Sequence, residues 1–232
     1  MELTANPGKN LIIKVDGIGY ARYPVKTCLI TPEHKDLAGL VRQYTTPYLR
    51  EGDIVFMGEK AIAVSQGRSY HKDSIKPSRL AKFLVRFVTK TTIGVGISSA
   101  PTMQLAIEEV GVPRMLLAAL VAALTKPFGV KGAFYLVAGE QARSIDGAAD
   151  YVIPPYNNYV SKGPKDAVGV AQKISDKLGY PFVIVDVCDF GAHVLGASKG
   201  VDKKMIERIL RDNPLCQTNE QTPIGILRKI SQ

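Results

Sequence analysis

The residues with the clearest chemical potential follow a short apolar run near the carboxyl end of the chain. Phe182 to Val185 is typical of a strand buried on both faces, and Asp186, Cys188, Asp189 and Gly191 come directly after it. A ligand often binds where buried strands end, and two close carboxylates repel each other unless a cation or a proton lies between them. The pattern predicts a metal or phosphate site, with two solvated turn aspartates as the alternative.

The spacing of the two aspartates restricts this site. Asp186 and Asp189 are three positions apart, so on one continuous strand they would point to opposite faces. They can share a site only if the strand ends near Asp186, and Gly191 makes such a break reasonable. Asp189 is the stronger candidate because it is expected in the turn, and a backbone hydrogen bond is the alternative role for Asp186.

Further oxygen ligands are available elsewhere in the chain. Glu140 and Asp146 lie in a polar stretch, and Gln217, Asn219 and Glu220 lie in a turn between a cysteine and a proline. Mg²⁺ and Mn²⁺ take oxygen ligands from one or two carboxylates, together with water and substrate phosphate. Each loop acid taken alone is more often simply solvated.

The histidines and cysteines of the sequence predict neither a zinc site nor a disulfide. They are widely spaced and show neither a zinc-site spacing nor a disulfide framework. His193 is close to the predicted site and is a candidate substrate contact, with a surface histidine as the alternative. The full set is His34, His71 and His193, with Cys28, Cys188 and Cys216.

Periodicity and turn residues predict a mixture of strands and helices around these residues. The helix near 113–126 is apolar nearly all round, which indicates a buried core or an oligomer interface. The predicted elements are two strands within 10–30, a helix at 36–49, a strand at 54–57, a helix at 78–89, helices at 102–110 and 113–126, a strand at 134–137, a loop at 138–150, a helix at 164–178 stopped by Gly179, the strand from 182, a helix at 201–211 and a final strand.

Composition limits the possible partners. The chain has 232 residues, is 46% hydrophobic and carries a net charge of +9, so it is globular and favours anionic partners such as nucleotides and small anionic metabolites. The absence of tryptophan, with aromatic residues that are not interleaved with basic clusters, argues against binding of single-stranded nucleic acid, and the net charge alone motivates a basic nucleic-acid-binding protein as a third hypothesis. The polar amino terminus is no signal peptide, and the apolar segment 115–124 is too short for a membrane span, so a cytoplasmic protein without a membrane partner is expected.

Four motifs, taken in order along the chain, resemble one family, the gamma-glutamyl ligases that build the polyglutamate tail of coenzyme F-420. LITPEHKDLAGLV is similar to that family's Ile-x-Pro-Gly-x-Asp-Leu, and EGDIVFMGEKAIAVSQGR to its Asp-Gly-Asp strand with Ser-x-Lys and Glu-Gly-Arg. FVIVDVCDFG is similar to its strand ending in Asp-Thr/Ser-x-Gly, and CQTNEQTPIGILRK to its Gly-Gln-x-Asp-Glu-x-x-Pro-x-x-x-x-Arg ending. The matches span residues 24 to 228.

The resemblance implies an α+β, gamma-glutamyl-ligase-like two-domain fold with mixed or antiparallel sheets flanked by helices. The two intertwined subdomains would be residues 1–75 with 180–232 and residues 76–179, in a homodimer. The implied activity is ligation of an L-glutamate-like amino acid to a carboxylate through an acyl phosphate, with GTP as co-substrate and Mn²⁺ or Mg²⁺ as cofactor. The implied nucleotide contacts are Leu29, Ile30, Thr31, Glu59, Lys60, Gln217, Thr218, Asn219 and Glu220, and the implied metal ligands are Asp189, Asp186, Glu140, Asp146 and Gln217.

The chain also departs from that family at positions that matter for chemistry. Val64 stands where the family has a second lysine, Ala192 where it has an arginine, and Glu140 or Gln141 replaces an aspartate. Loss of a phosphate-facing cation costs about 1 kcal/mol or more of charge-assisted bonding. A divergent ligase is therefore the first hypothesis, and a non-catalytic nucleotide or phosphometabolite-binding protein of the same fold is the second.

Overall fold

The computed structural model describes residues 3–88, 96–130, 132–188 and 191–230. The chain forms two compact units, of which residues up to 66 and from 164 onward make the first and residues 67–163 the second. These limits lie at other points of the chain than those of the predicted subdomains. Residues 167–178 form a helix that packs on two strands of the first unit, so they belong with it.

A six-stranded mixed sheet forms the centre of the first unit. Its strand order is β1-β2-β8-β3-β6-β7, and every neighbouring pair is antiparallel except β3 and β6, which are parallel. A two-stranded ribbon, β4 with β5, lies in the second unit. The strands of the described residues are β1 (Ile12–Val15), β2 (Ile18–Val25), β3 (Ile54–Gly58), β4 (Ser69–His71), β5 (Tyr159–Ser161), β6 (Phe182–Cys188), β7 (Gly191–Ala197) and β8 (Ile224–Ile230).

Helices flank the sheet in the first unit and make most of the second unit, so the fold is α+β, as predicted. The helices of the described residues are α1 (Leu37–Thr45), α2 (Glu59–Ser65), α3 (Arg79–Leu84), α4 (Ala100–Val110), α5 (Val112–Thr125), α6 (Ala133–Ala138), α7 (Glu140–Arg143), α8 (Ala167–Leu178) and α9 (Lys203–Leu210). Among the described residues, every helix is too short or too polar to cross a membrane.

Three of the sequence-based assignments are wrong. Residues 134–137 lie in helix α6, not in a strand, because a four-residue apolar run fits either element and here it packs on α5. The second of the two strands predicted within 10–30, VKTCLI at 25–30, does not form: β2 ends at Val25, and the Thr27 N–H donates to the carbonyl of Gln221 where the chain leaves the sheet. Residues 140–143, predicted as loop, form α7.

Apolar burial holds the first unit together on one face of the sheet. Val183 and Val185 of β6 are fully buried and pack with Ile206 and Ile209 of α9. Burying an aliphatic side chain of this size stabilises the fold by about 1.5–3 kcal/mol. The buried run 182–185 therefore forms a rigid base for the residues that follow it.

A fully buried arginine joins three segments of the first unit. Arg22 of β2 is 0% exposed, and its guanidinium donates to the carbonyls of Asn10 at 2.6 Å and Ile209 at 3.0 Å and to the carboxylate of Asp212. Burial alone would raise the pKa of Asp212, but the hydrogen bond and charge of Arg22 outweigh it and lower that pKa. The pair is therefore charged at neutral pH.

Candidate functional site

Three segments that are distant in sequence meet at one end of the six-stranded sheet. This end, called the carboxyl end here, carries the carboxyl ends of β2, β3 and β6 and the amino end of β8. The Thr27 N–H donates to the Gln221 carbonyl at 3.1 Å, and the Gly58 N–H donates to the Pro223 carbonyl at 2.9 Å. The segment after β2, the start of α2 and the turn before β8 are therefore neighbours.

The predicted nucleotide contacts lie on these three segments. The first segment carries Leu29 to Thr31, the start of α2 carries Glu59 and Lys60, and the turn carries Gln217 to Glu220. All of them belong to the first unit. The structure thus joins segments that the sequence separates by almost 190 positions.

The first segment is braced by a histidine. The Thr31 N–H donates to Nδ1 of His34 at 3.1 Å, which places the ring proton of a neutral imidazole on Nε2. That Nε2 lies 3.5 Å from Sγ of Cys28, whose backbone N–H donates to the Tyr44 hydroxyl at 3.0 Å. The sequence indicates this contact only by a Thr-x-x-His spacing in a turn, which is too common to predict it.

The turn before β8 is held by its own side chains. The backbone N–H and the hydroxyl of Thr218 donate to the Glu220 carboxylate at 2.9 and 2.6 Å. Partial burial alone would raise the pKa of Glu220, but these hydrogen bonds outweigh it and hold the pKa below its usual range. Glu220 is thus an ionised carboxylate that shapes the turn.

The side chain of Asn6, in the amino-terminal segment, holds the residues on either side of the same turn. Nδ2 of Asn6 donates to the Pro214 carbonyl at 3.0 Å and to the Thr222 hydroxyl at 2.8 Å, and that hydroxyl donates to the Leu215 carbonyl at 2.8 Å. Asn6 and Thr222 are buried. The turn is therefore fixed at both ends, while Gln217, Thr218 and Asn219 are exposed between them.

Helix α2 starts immediately at the end of β3. Glu59 and Lys60 form its first turn and are half-buried, whereas Ile62 and Val64 are buried. Val64, the position of the second lysine in the resembled family, is only 2% exposed. A cation at this position would lie against the core, so the valine suits its surroundings.

Asp186 does not lie at the end of its strand. Strand β6 continues to Cys188, so Asp186 is inside the strand and pairs with His193 across to β7. A strand that ends near Asp186 was the condition for Asp186 and Asp189 to share a site, and the β6–β7 pairing carries the strand two residues beyond Asp186. Asp189 lies outside the described residues.

His193 has a carboxylate partner on α9. Its Nδ1 lies 3.0 Å from Oε1 of Glu207, and the same oxygen accepts the Val194 N–H at 2.9 Å. Glu207 thus satisfies a backbone donor of β7 and orients the imidazole at the same time. Ala192, the position of the family's arginine, is half-buried and packs toward the core of this unit.

The remaining predicted metal ligands are divided between the two units. Asp186 and Gln217 belong to the first unit, whereas Glu140 and Asp146 belong to the second. Glu140 is exposed at the start of α7, and the backbone of Asp146 pairs with that of Ser161 at 2.9 Å in both directions. In residues 3–88, 96–130, 132–188 and 191–230, no three His, Cys, Asp or Glu side chains come together as a metal centre.

Two residues of the resembled motifs form a structural ion pair at the other end of the sheet. Asp53 precedes β3 and Arg228 is near the end of β8, and they make two parallel hydrogen bonds of 2.8 and 2.7 Å. Asp53 is 0% exposed. These two residues support the fold and lie away from the carboxyl end.

Comparison with known proteins adds no assignment to this site, since no protein-family model matches the sequence and no curated protein matches it as a relative.

Proposed function

We propose that the protein is a cytoplasmic, metal- and nucleotide-dependent ligase that joins an L-glutamate-like amino acid to a carboxylate substrate through an acyl phosphate. The proposed activity is similar to that of the coenzyme F-420 gamma-glutamyl ligases. The observation that carries the proposal is that the segments holding Leu29–Thr31, Glu59–Lys60 and Gln217–Glu220 are joined at this end of the sheet by the hydrogen bonds from Thr27 to Gln221 and from Gly58 to Pro223. The parallel strands β3 and β6 have their carboxyl ends here, and ligands often bind beyond the carboxyl ends of parallel strands.

The chemistry requires a phosphate-binding surface beside two organic substrates. An oxygen of the substrate carboxylate attacks the γ-phosphorus of GTP, the bond to the β-phosphate oxygen breaks, and GDP leaves. The amine of the amino acid then attacks the acyl carbon, inorganic phosphate leaves, and the amine gives up a proton to water. Lys60 is the cation that we place along the phosphates, where fixed positive charge stabilises the transferred group.

A divalent cation fits the donors at this end only in company with the nucleotide. Two of the predicted metal ligands lie at this end in the described residues, the carboxylate of Asp186 and the side-chain amide of Gln217, and the carboxylates of Glu59 and Glu220 lie on the neighbouring segments. Mg²⁺ is usually bound by one or two carboxylates with phosphate and water, so this donor set suits Mg²⁺ or Mn²⁺ that arrives with GTP. When bound, such a cation neutralises phosphate charge. Asp189, Glu140 and Asp146 remain predicted ligands.

A non-catalytic nucleotide or phosphometabolite-binding protein is the second candidate function. This second function is favoured by the apolar surroundings of the two positions at which the resembled family carries a lysine and an arginine. Val64 is buried in α2, and Ala192 packs toward the core. Both cations are absent from this sequence, and binding tolerates such a loss better than phosphoryl transfer, because catalysis depends on charge stabilisation in the transition state.

Turnover separates the two functions. The purified chain is incubated with Mn²⁺, glutamate and a panel of small carboxylates, with GTP and ATP in parallel, and GDP, ADP and new amides are quantified by mass spectrometry. A ligase produces nucleoside diphosphate and amide in equal amounts, and only with both organic substrates present. Nucleotide binding without turnover on any acceptor supports the second function, and absence of nucleotide binding contradicts the ligase and the nucleotide-binding form of the second function.

Asp189→Ala and Lys60→Ala are the informative variants for this assay. Loss of a predicted metal ligand is expected to abolish turnover, and loss of the predicted phosphate cation is expected to reduce it. Lys229→Ala is the matched control, because it removes the same charge from an exposed position near the far end of β8. If Lys229→Ala reduces turnover as much as Lys60→Ala does, the nucleotide phosphates do not bind at Lys60.

A further inference from the structure

Helix α5 of the second unit leaves most of its apolar surface uncovered. Val112, Leu116, Leu120 and Leu124 recur at every fourth position and, with Leu117, are between 43% and 62% exposed. At 3.6 residues per turn these five side chains cover one continuous side of the helix. The opposite side is the one that packs, since Met115 and Ala118 are fully buried in the core of this unit.

Neighbouring segments extend this surface. The chain after α5 adds Phe128, which is 84% exposed, and Val130, which is 50% exposed. Helix α6, which packs on α5, adds Leu136 at 83%. These eight residues are called the α5 face: Val112, Leu116, Leu117, Leu120, Leu124, Phe128, Val130 and Leu136.

The area of the α5 face is the first argument about what covers it. At roughly 150 Å² for each fully exposed side chain, the low end of the range for aromatic side chains, the eight exposed fractions correspond to about 700 Å² of apolar surface. The largest apolar patch of a typical monomer is about 300–600 Å², whereas a standard protein interface takes about 800 Å² from each partner. The α5 face therefore has the size of one side of a stable interface.

Charge and shape indicate the partner. The only charged residue in the sequence of α5 is Arg114, and its Nε is directed to the Val137 carbonyl at 2.8 Å. Two copies of a chain with a net charge of +9 repel each other least where they meet on a surface that holds few cations, and α5 is such a surface. A ridge of residues at every fourth position also fits against an identical ridge, at a crossing angle of about −50°.

We propose that the α5 face is a homotypic interface, on which a second copy of this chain docks around a two-fold axis with the two α5 helices packed against each other. The proposal rests on the second unit alone and does not depend on the proposed ligase activity. An acidic partner would require cations across the face, and a lipid surface is usually met by an apolar face bordered by several Lys and Arg. The sequence from Val112 to Leu136 carries three cations, Arg114, Lys126 and Lys131, and Arg114 is the only one within α5, so neither pattern runs along the helix.

Sedimentation velocity across micromolar concentrations tests the interface on the full chain. We expect the wild type to be a dimer and Leu120→Glu to raise the dissociation constant by at least about tenfold, because two carboxylates would be buried beside the two-fold axis. Val168→Glu is the matched control. Val168 is a helical residue of the first unit that is 52% exposed, close to the 56% of Leu120, and its variant is expected to remain dimeric.

Hydrogen exchange of the wild type gives a second measurement that does not depend on a variant. Amides of residues 112–125 are expected to gain protection as the concentration rises, whereas those of α8 are expected to stay unchanged. A wild type that is monomeric at all concentrations would overturn the proposal, as would a dimer that Leu120→Glu leaves intact. Binding of the monomer to phosphatidylcholine vesicles through residues 112–125 would overturn it in favour of a membrane surface.

Discussion

Replacing Arg228 by methionine is expected to destabilise the first unit strongly. Nε and Nη2 of Arg228 donate to the two carboxylate oxygens of Asp53 at 2.8 and 2.7 Å, and Nη2 also donates to the Tyr48 carbonyl at 2.8 Å. Asp53 is fully buried, and its Oδ2 accepts the Arg50 N–H as well. The hydrogen bond to Asp53 is the main cause that raises the pKa of Arg228 above its usual range.

The loss of stability is set by the buried carboxylate that the substitution leaves without its cation. Methionine keeps the apolar stem of the side chain but leaves the Asp53 carboxylate buried without its cation. Breaking a buried ion pair in this way costs about 3–5 kcal/mol. For a domain of this size, that loss lowers the melting temperature by roughly 10 °C.

The surface pair of Arg208 with Asp16 provides the control. It has the same two-bond geometry, with distances of 2.5 and 2.7 Å, but both side chains are more than half exposed. Water and salt screen such a pair, so Arg208→Met is expected to leave the melting temperature almost unchanged. Comparison of the two variants therefore isolates the effect of burial.

Thermal and urea unfolding followed by circular dichroism measure these differences. The double variant Asp53→Leu with Arg228→Met is expected to be more stable than the sum of the single effects predicts, because the orphaned carboxylate is removed with its partner. The reasoning is refuted if Arg228→Met is no less stable than Arg208→Met. It is also refuted if the double variant loses the full sum of the two single changes.

Two further substitutions test close packing and the turn before β8. Gly196→Ala is expected to lower the free energy of unfolding by about 1–3 kcal/mol, because the new Cβ would overlap the backbone carbonyl of Ala167. Gly19→Ala is the control, since its Cβ would lie at an ordinary 3.6 Å from the Cβ of Ile230. Equal melting temperatures of the two variants would contradict the close packing at Gly196. Thr218→Val is expected to raise the pKa of Glu220 toward its usual range, as measured by NMR titration. Since the pKa of Glu220 is lowered in the folded protein, the stability difference between wild type and variant is largest at neutral pH and shrinks as pH falls through the carboxyl range. A Glu220 pKa that is the same in the variant and the wild type would argue against the hydrogen bond from the Thr218 hydroxyl.

The fold was predictable from sequence where a pattern is long or is bounded by a clear stop. The buried run from Phe182 gave β6, and Gly179 in a left-handed conformation ends α8 as predicted. The strand assigned to 134–137 failed because four apolar residues carry no period that separates strand from helix. Packing against α5 determines that this segment is helical, and such a tertiary contact cannot be predicted from the local sequence.

The candidate site was predictable only in part, because side-chain partners depend on distant segments. No local pattern shows that Arg22 is buried against Asp212, or that Asp53 and Arg228 pair across 175 positions. The bracing of Thr31 by His34 depends on ring orientation, which spacing alone does not give. Asp186 lies within a strand because β7 pairs with β6 beyond it, and that pairing extends outside the apolar run used for the prediction.

Calorimetric titration of GTP with Mn²⁺ into the wild type, Lys60→Ala and Lys229→Ala tests the central claim most directly. The account predicts metal-dependent binding to the wild type and to Lys229→Ala. It predicts binding about tenfold weaker or more for Lys60→Ala, because a hydrogen bond to a charged group contributes roughly 1.5–3 kcal/mol. Equal weakening by both lysine variants would indicate unspecific attraction to the net charge of +9. That result, or a wild type that binds neither GTP nor ATP, would contradict a nucleotide site at the carboxyl end of the sheet.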